Sequence, residues 1–296
     1  MIHSTTTAAD GTRLAYRVRG EGPLVVFNDG LANDGHLLGP LLRRLEGRAR
    51  LLTWHYRGHG DSENARDPRS ISIESTVDDL RRVLDAVADP EEKAVFVGFS
   101  LGCQVNLVAW QRFPERVSAI VNLLGTYGRP FDTFFAPHFG RLALAVFRPT
   151  PSRVVTRVLR IGGRFSRPTW VAGRVLGIIE SGASYGEFAP FLRHLRRLEG
   201  RSFKALALAS QAHSAEDALP TVTVPTLVVV GGRDRFSLPR VGRRMHERIP
   251  GSELIFLPKA GHAGLLGHAT PIGDAVEDFL ERGGWVGVPG RDSGGA

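Results

Sequence analysis

The chain has 296 residues, of which 42% are hydrophobic and 23% charged, a composition that excludes wholesale disorder and a collagen-like chain. Its 38 Lys+Arg exceed its 30 Asp+Glu to give a net charge of +8. That balance admits nucleic acid, an anionic surface or an acidic substrate without choosing among them.

The elements follow in order. Asp10-Gly11 marks a hairpin between strands over 3–9 and 12–19. The apolar run 23–27 suits a strand buried on both faces of a parallel sheet. Leu37, Leu38, Leu41, Leu42 and Leu45 recur at helical spacing over 35–46. A strand at 51–54 leads to a helix over 71–88, with Val77, Leu80, Val83, Leu84 and Val87 on one face and Ser75 and Asp78 placed for its N-terminal cap. A strand at 94–97, a helix from about 101 to 113 and a strand at 117–124 complete the first half. The strand–helix rhythm stops near 127 and resumes with strand 225–230, a helix near 239–249, strand 253–256 and a helix near 271–281.

Such alternation predicts an α/β fold with a mostly parallel, doubly wound sheet. Residues 1–126 and 216–282 form the core. Residues 127–215 are a helical insertion between two late strands, and the Gly-rich tail 283–296 is expected to lack structure, although Trp285 could dock.

Cys103 is the sole cysteine, so neither an intramolecular disulfide nor a thiolate metal cluster can form. No apolar run approaches the roughly 20 residues that span a bilayer. The N-terminus carries no basic and apolar leader pattern. A reduced, cytoplasmic, soluble protein is the expectation.

Gly98-Phe99-Ser100-Leu101-Gly102 matches G-x-S-x-G. A buried strand enters it and a helix leaves it, which is what a serine nucleophile needs: a tight turn, an exposed hydroxyl, and small residues where strand and helix approach. The helix N-terminus aims its N–H groups at the reacting carbonyl. A serine hydroxyl also needs a base. His262, in the loop after the last strand, falls at the same sheet edge, and His268 is its rival. Asp234 follows strand 225–230 and would orient the imidazole. Two backbone donors should hold the oxyanion, the N–H of Leu101 and that of Leu31 in the turn after the third strand. No cofactor and no metal are implied.

These pieces together resemble a capped protein of the α/β-hydrolase superfamily, a serine hydrolase of esterase type, over about 5–282. The hairpin at Asp10-Gly11, the turn at Gly30, the loop Arg57-Gly-His-Gly-Asp-Ser62, the elbow at 98–102, Asp234 and Gly261-His262 carry the resemblance. Two positions depart from it. Asp29 stands where the family often has His, and His55 where it often has Asp. Asp29 is expected to turn away from the oxyanion site and make local turn hydrogen bonds.

The resemblance makes 127–215 a lid over Ser100. It holds 12 of the 24 aromatic residues, more than a small helical cap can bury alone. Phe131, Phe134, Phe135 and Trp170, with Phe99 from the elbow, are expected to line an apolar pocket. The lid also carries 14 Lys+Arg against 4 Asp+Glu, or +10, so the rest of the chain is −2. Arg153, Arg157 and Arg160 share one face of a helix whose Val154, Val155, Val158 and Leu159 are read as its core stripe.

The function expected is hydrolysis of a carboxylic ester, lactone or thioester of an apolar small molecule through an acyl-enzyme. The basic lid would favour an anionic substrate, or less readily an anionic membrane surface. C–C bond hydrolysis with the same triad and a catalytically inactive ligand-binding protein are the alternatives. Nucleic-acid binding has no motif behind it. The oligomeric state is not legible.

Overall fold

The Asp-Gly turn closes a hairpin as its chemistry dictates: Asp10 Oδ1 accepts the Thr12 N–H at 2.9 Å and Gly11 takes φ +80°. It joins β1 (Ile2–Thr7) to β2 (Arg13–Arg19). The computed structural model describes residues 2–177, 179–180 and 182–287. The other strands are β3 (Leu24–Asn28), β4 (Arg50–Trp54), β5 (Ala94–Phe99), β6 (Val117–Leu123), β7 (Thr226–Gly231) and β8 (Glu253–Leu257). They form one sheet in the order β1-β2-β4-β3-β5-β6-β7-β8, antiparallel at β1–β2–β4 and parallel thereafter.

Every residue of β3, β5 and β7 is buried, because helices cover both sheet faces. The helices in chain order are α1 (Gly39–Leu45), α2 (Ile73–Asp85), α3 (Leu101–Arg112), α4 (Pro137–Phe147), α5 (Ser152–Arg164), α6 (Ser166–Val175), α7 (Tyr185–His194), α8 (Gly200–Ala212), α9 (Pro239–Arg248), α10 (Gly264–Gly267) and α11 (Ala269–Arg282). Alternate strand residues point to opposite faces. Val26, Phe96 and Val228 meet Leu80 of α2, Val105 of α3 and Met245 of α9. Val25, Val97 and Val229 meet Leu41 of α1 and Val276 and Leu280 of α11.

Two boundaries differ from the sequence reading. α1 starts at Gly39, with Pro at the first turn, so 35–38 are loop. α2 is capped by Ser72, whose hydroxyl accepts the Ser75 N–H while Ser75 returns the bond, a capping box three residues ahead of the expected site. The start of the expected tail is packed. Trp285 lies against Phe279 with ring centroids 5.5 Å apart, and the Gly287 N–H donates to the Arg48 carbonyl at 2.8 Å. Residues 288–296 lie outside the described residues.

The five helices α4–α8 all stand between β6 and β7, as a lid inserted between two late strands. Among the described residues no helix is long and apolar enough to cross a membrane.

Candidate active site

In a parallel sheet every strand ends at the same edge, so loops distant in sequence converge there. Ser100 stands between β5 and α3 at φ 54°, ψ −112°. This left-handed conformation is strained for a residue with a side chain. The close packing around it explains why the flanking residues are glycine. A Cβ on Gly102 would lie 1.8 Å from the Asn28 carbonyl oxygen, and one on Gly98 2.5 Å from the Gly102 backbone.

His262 Nε2 lies 3.0 Å from Ser100 Oγ, and His262 Nδ1 2.9 Å from Asp234 Oδ2. The tautomer with its proton on Nδ1 satisfies both contacts. The Asp234 side chain is fully buried, and its second oxygen accepts the N–H groups of Phe236 and Ser237 at 2.8 Å each. The three residues expected from sequence are thus brought into one hydrogen-bonded chain. His268 is not part of it: its Nδ1 lies 3.1 Å from Glu180.

Leu31 and Leu101 both border the cavity beside Ser100. The Leu101 N–H is the first of α3 and has no intrahelical acceptor. The backbone around the Leu31 turn is held by Asp29. Its Oδ1 accepts the Gly30 N–H and its Oδ2 the Gly35 N–H, both at 2.7 Å. Burial pushes the Asp29 carboxyl up to about 7 against the pull of those two donors. At the other departure, His55 Nδ1 accepts the Asp61 N–H at 3.0 Å, and its ring leaves room only for glycine at Gly60.

Beneath the elbow runs a buried amide chain. Trp54 donates to Asn28 at 2.7 Å, Asn28 to Asn106 at 2.8 Å, and Asn106 to Asn122 at 3.0 Å. Asn106 also donates to the Phe96 carbonyl of β5 at 3.2 Å, so the chain ties the four neighbouring strands β4, β3, β5 and β6 to α3 under Ser100. Cys103 is buried close by, and burial pushes its thiol well up.

Above Ser100 lies a cavity of about 540 Å³, within the ordinary range for a small-molecule site. Phe99, Phe131 and Phe134 line it as expected. Phe135 and Trp170 do not. Phe135 follows Phe134 and packs on the outer side, against Phe139 and under the Arg235 guanidinium at 5.7 Å. On α6 the cavity face is Thr169, Ala172, Gly173 and Leu176, at helical spacing. Trp170 falls off that face onto Tyr185, with Arg174 over its ring at 5.0 Å.

The sequence reading missed Phe236, which stacks on the His262 ring with centroids 4.9 Å apart and an interplanar angle of 29°. Phe99 packs against the same ring at 5.3 Å. It also missed Glu180, whose side chain is nearly buried and whose Oε2 accepts the Gly261 N–H at 2.5 Å, one residue before His262. Phe236 is two residues past Asp234, which was a usable signal. Nothing in the sequence around Glu180 ties it to Gly261. Among the described residues no Lys or Arg lines the cavity, so the positive charge of the lid lies outside it. Among the described residues no cluster of His, Cys, Asp or Glu is placed to hold a metal ion.

A strained serine at a strand–helix elbow, hydrogen-bonded to histidine at the carboxyl edge of this sheet, defines a hydrolase architecture. The family model of the alpha/beta hydrolase family matches residues 30–275, and the chain belongs to that family. It is 26% identical over 260 residues to the pimeloyl-[acyl-carrier protein] methyl ester esterase of Neisseria meningitidis serogroup B, covering 86% of this chain and 91% of that one. Among solved structures, the enol-lactonase from Burkholderia xenovorans LB400 superposes with a TM-score of 0.73 at 21% identity, over 94% of this chain and all of the other. The esterase from Exiguobacterium antarcticum also gives 0.73, at 19% identity, over 95% of this chain and all of the other.

Proposed function

We propose that this hydrolase cleaves a carboxylic ester with an apolar acyl or alcohol part, using Ser100 as nucleophile, His262 as general base and acid, and Asp234 to orient the imidazole. The observation that carries the reading is the hydrogen-bonded chain from Ser100 through His262 to Asp234, with Ser100 opening into an apolar cavity lined by no Lys, Arg, Asp or Glu among the described residues. The curated relatives named as methyl ester esterases support the reaction class.

In this reading Ser100 Oγ attacks the ester carbonyl as its proton passes to His262 Nε2. The N–H groups of Leu31 and Leu101 hold the developing oxyanion, assisted by the positive end of α3. Collapse of the tetrahedral intermediate breaks the C–O bond, and His262 returns the proton to the departing alcohol. Water, deprotonated by His262, then releases the acid. Buried Asp234 stabilises the imidazolium at each step. The aromatic walls favour an apolar chain and exclude water from the reaction.

A p-nitrophenyl ester series from short to long acyl chain tests this, with Ser100→Ala as control. Hydrolysis that the variant loses by at least about 10³-fold is expected. Turnover surviving in Ser100→Ala, or no labelling of Ser100 by a fluorophosphonate, overturns the assignment.

A further inference from the structure

The outer helix of the lid shows three faces where the sequence reading saw two. Val155 and Gly163 of α5 are buried, with Leu159 on the same side. Val154, Val158, Ile161 and Phe165, at i, i+4, i+7 and i+11, form a second stripe that stays 42–63% exposed. The valines expected in one core stripe are therefore divided between the interior and solvent. Beside the exposed stripe, Arg153, Arg157, Arg160 and Arg164 form a third at the same spacing. Four of these arginines, with Thr156 and Ile161, surround a shallow groove.

Charge sharpens the picture. The core domain pairs many of its arginines with carboxylates, as Arg44, Arg48, Arg57 and Arg282 do. None of these four α5 arginines has a carboxylate partner among the described residues, and Arg164 lies over the Phe165 ring at 5.9 Å. An exposed aliphatic stripe alongside unneutralised guanidinium groups is the pattern of a helix lying in a bilayer interface: apolar side chains enter the acyl boundary and arginines meet headgroup phosphates. A second copy of the chain would set two arginine stripes against each other, which like charges oppose. A folded acidic partner would pair the arginines, but three of the four side chains in the adjacent stripe are aliphatic, with Phe165 its one aromatic, a composition that suits an acyl boundary better than the aromatic-rich centre of a protein interface. Next in the chain, α6 leaves Val171 and Val175 exposed while its other side lines the cavity. The apolar cavity is thus one helix away from the outer surface.

We propose that α5 is an interfacial docking helix that seats the lid on a bilayer containing anionic phospholipid, bringing the cavity to where apolar esters dissolve. The binding part of this inference does not depend on the hydrolytic reading, and its test needs no turnover.

The test is co-sedimentation of the full chain with vesicles of phosphatidylcholine alone and of equimolar phosphatidylcholine and phosphatidylglycerol. Binding to the mixed vesicles, weakened by salt, is expected, with little binding to the neutral ones. Each of Arg153→Gln, Arg157→Gln and Arg160→Gln should weaken it about fivefold. Val154→Asn with Val158→Asn should weaken it about tenfold with all the arginines in place. Circular dichroism checks that each variant folds, and the single substitutions serve if combined ones do not. Binding unchanged by these substitutions, equal binding to neutral vesicles, self-association that buries the stripe, or binding to an acidic carrier protein but not to vesicles each overturns the proposal.

Discussion

Phe236 stacks on the imidazole of His262, 4.9 Å between centroids, on a loop anchored by the Asp234 carboxylate that holds the same imidazole. One aspartate thus orients the histidine by a hydrogen bond and by positioning the ring that packs on it. Removing the ring with Phe236→Ala should leave the fold intact and lower kcat about ten- to a hundredfold, the penalty expected of a base displaced by about an ångström. Phe236→Tyr should recover most of the loss. Steady-state kinetics on a p-nitrophenyl ester checks this, and a kcat unchanged in the alanine variant counts against it.

Glu180 joins the lid to the loop carrying His262 through the Gly261 N–H. Glu180→Gln keeps an acceptor oxygen and should retain most activity. Glu180→Ala leaves that N–H without its acceptor and should reduce kcat about tenfold, within the cost of a lost charge-assisted hydrogen bond. If alanine and glutamine behave alike, the carboxylate does not position the loop.

His59 is buried, and burial pulls its imidazole down to about 4. Between about pH 6.5 and about pH 4 the unfolded chain binds a proton there that the native protein does not, so the His59 contribution to stability falls as the pH drops through that window. The loss for this one group is about 3 kcal/mol. His59→Leu should have a urea-unfolding free energy less dependent on pH over the same range. An equal slope in both proteins would show that His59 is not the group responsible.

Asp29 has the opposite sign. Burial raises its carboxyl from 3.8 to about 7, so between those values the native protein holds a proton that the unfolded chain has released. The Asp29 contribution to stability should therefore decline across this window as the pH rises, opposite to that of His59, and Asp29→Asn should remove that component. Comparing unfolding free energies of the two proteins near pH 5 and near pH 8 checks it. The gap should move in favour of the variant at the higher pH.

The candidate site was legible because its signals are local. A buried strand running into Gly-Phe-Ser-Leu-Gly and then a helix specifies its own elbow, since a Cβ at Gly98 or Gly102 would collide with neighbouring backbone. Asp234 and His262 each follow a recognisable strand, and a parallel sheet gathers such loops at one edge whatever their separation. The sequence alone therefore determined the sheet, the elbow and the candidate triad.

The lid was decided only by tertiary packing. Periodicity shows that α5 carries apolar stripes and an arginine stripe, but which apolar stripe is buried depends on how α5 docks on α7 and α8. That docking hides Val155 and leaves Val154 and Val158 in solvent. Packing against Phe236 likewise sets Phe134 in the cavity lining and leaves Phe135 outside it, and among the described residues no arginine lines the cavity. The same holds for Phe236 against His262 and Glu180 against Gly261. These are contacts between elements, and their distances follow from the packed arrangement of the whole molecule, not from spacing along the chain.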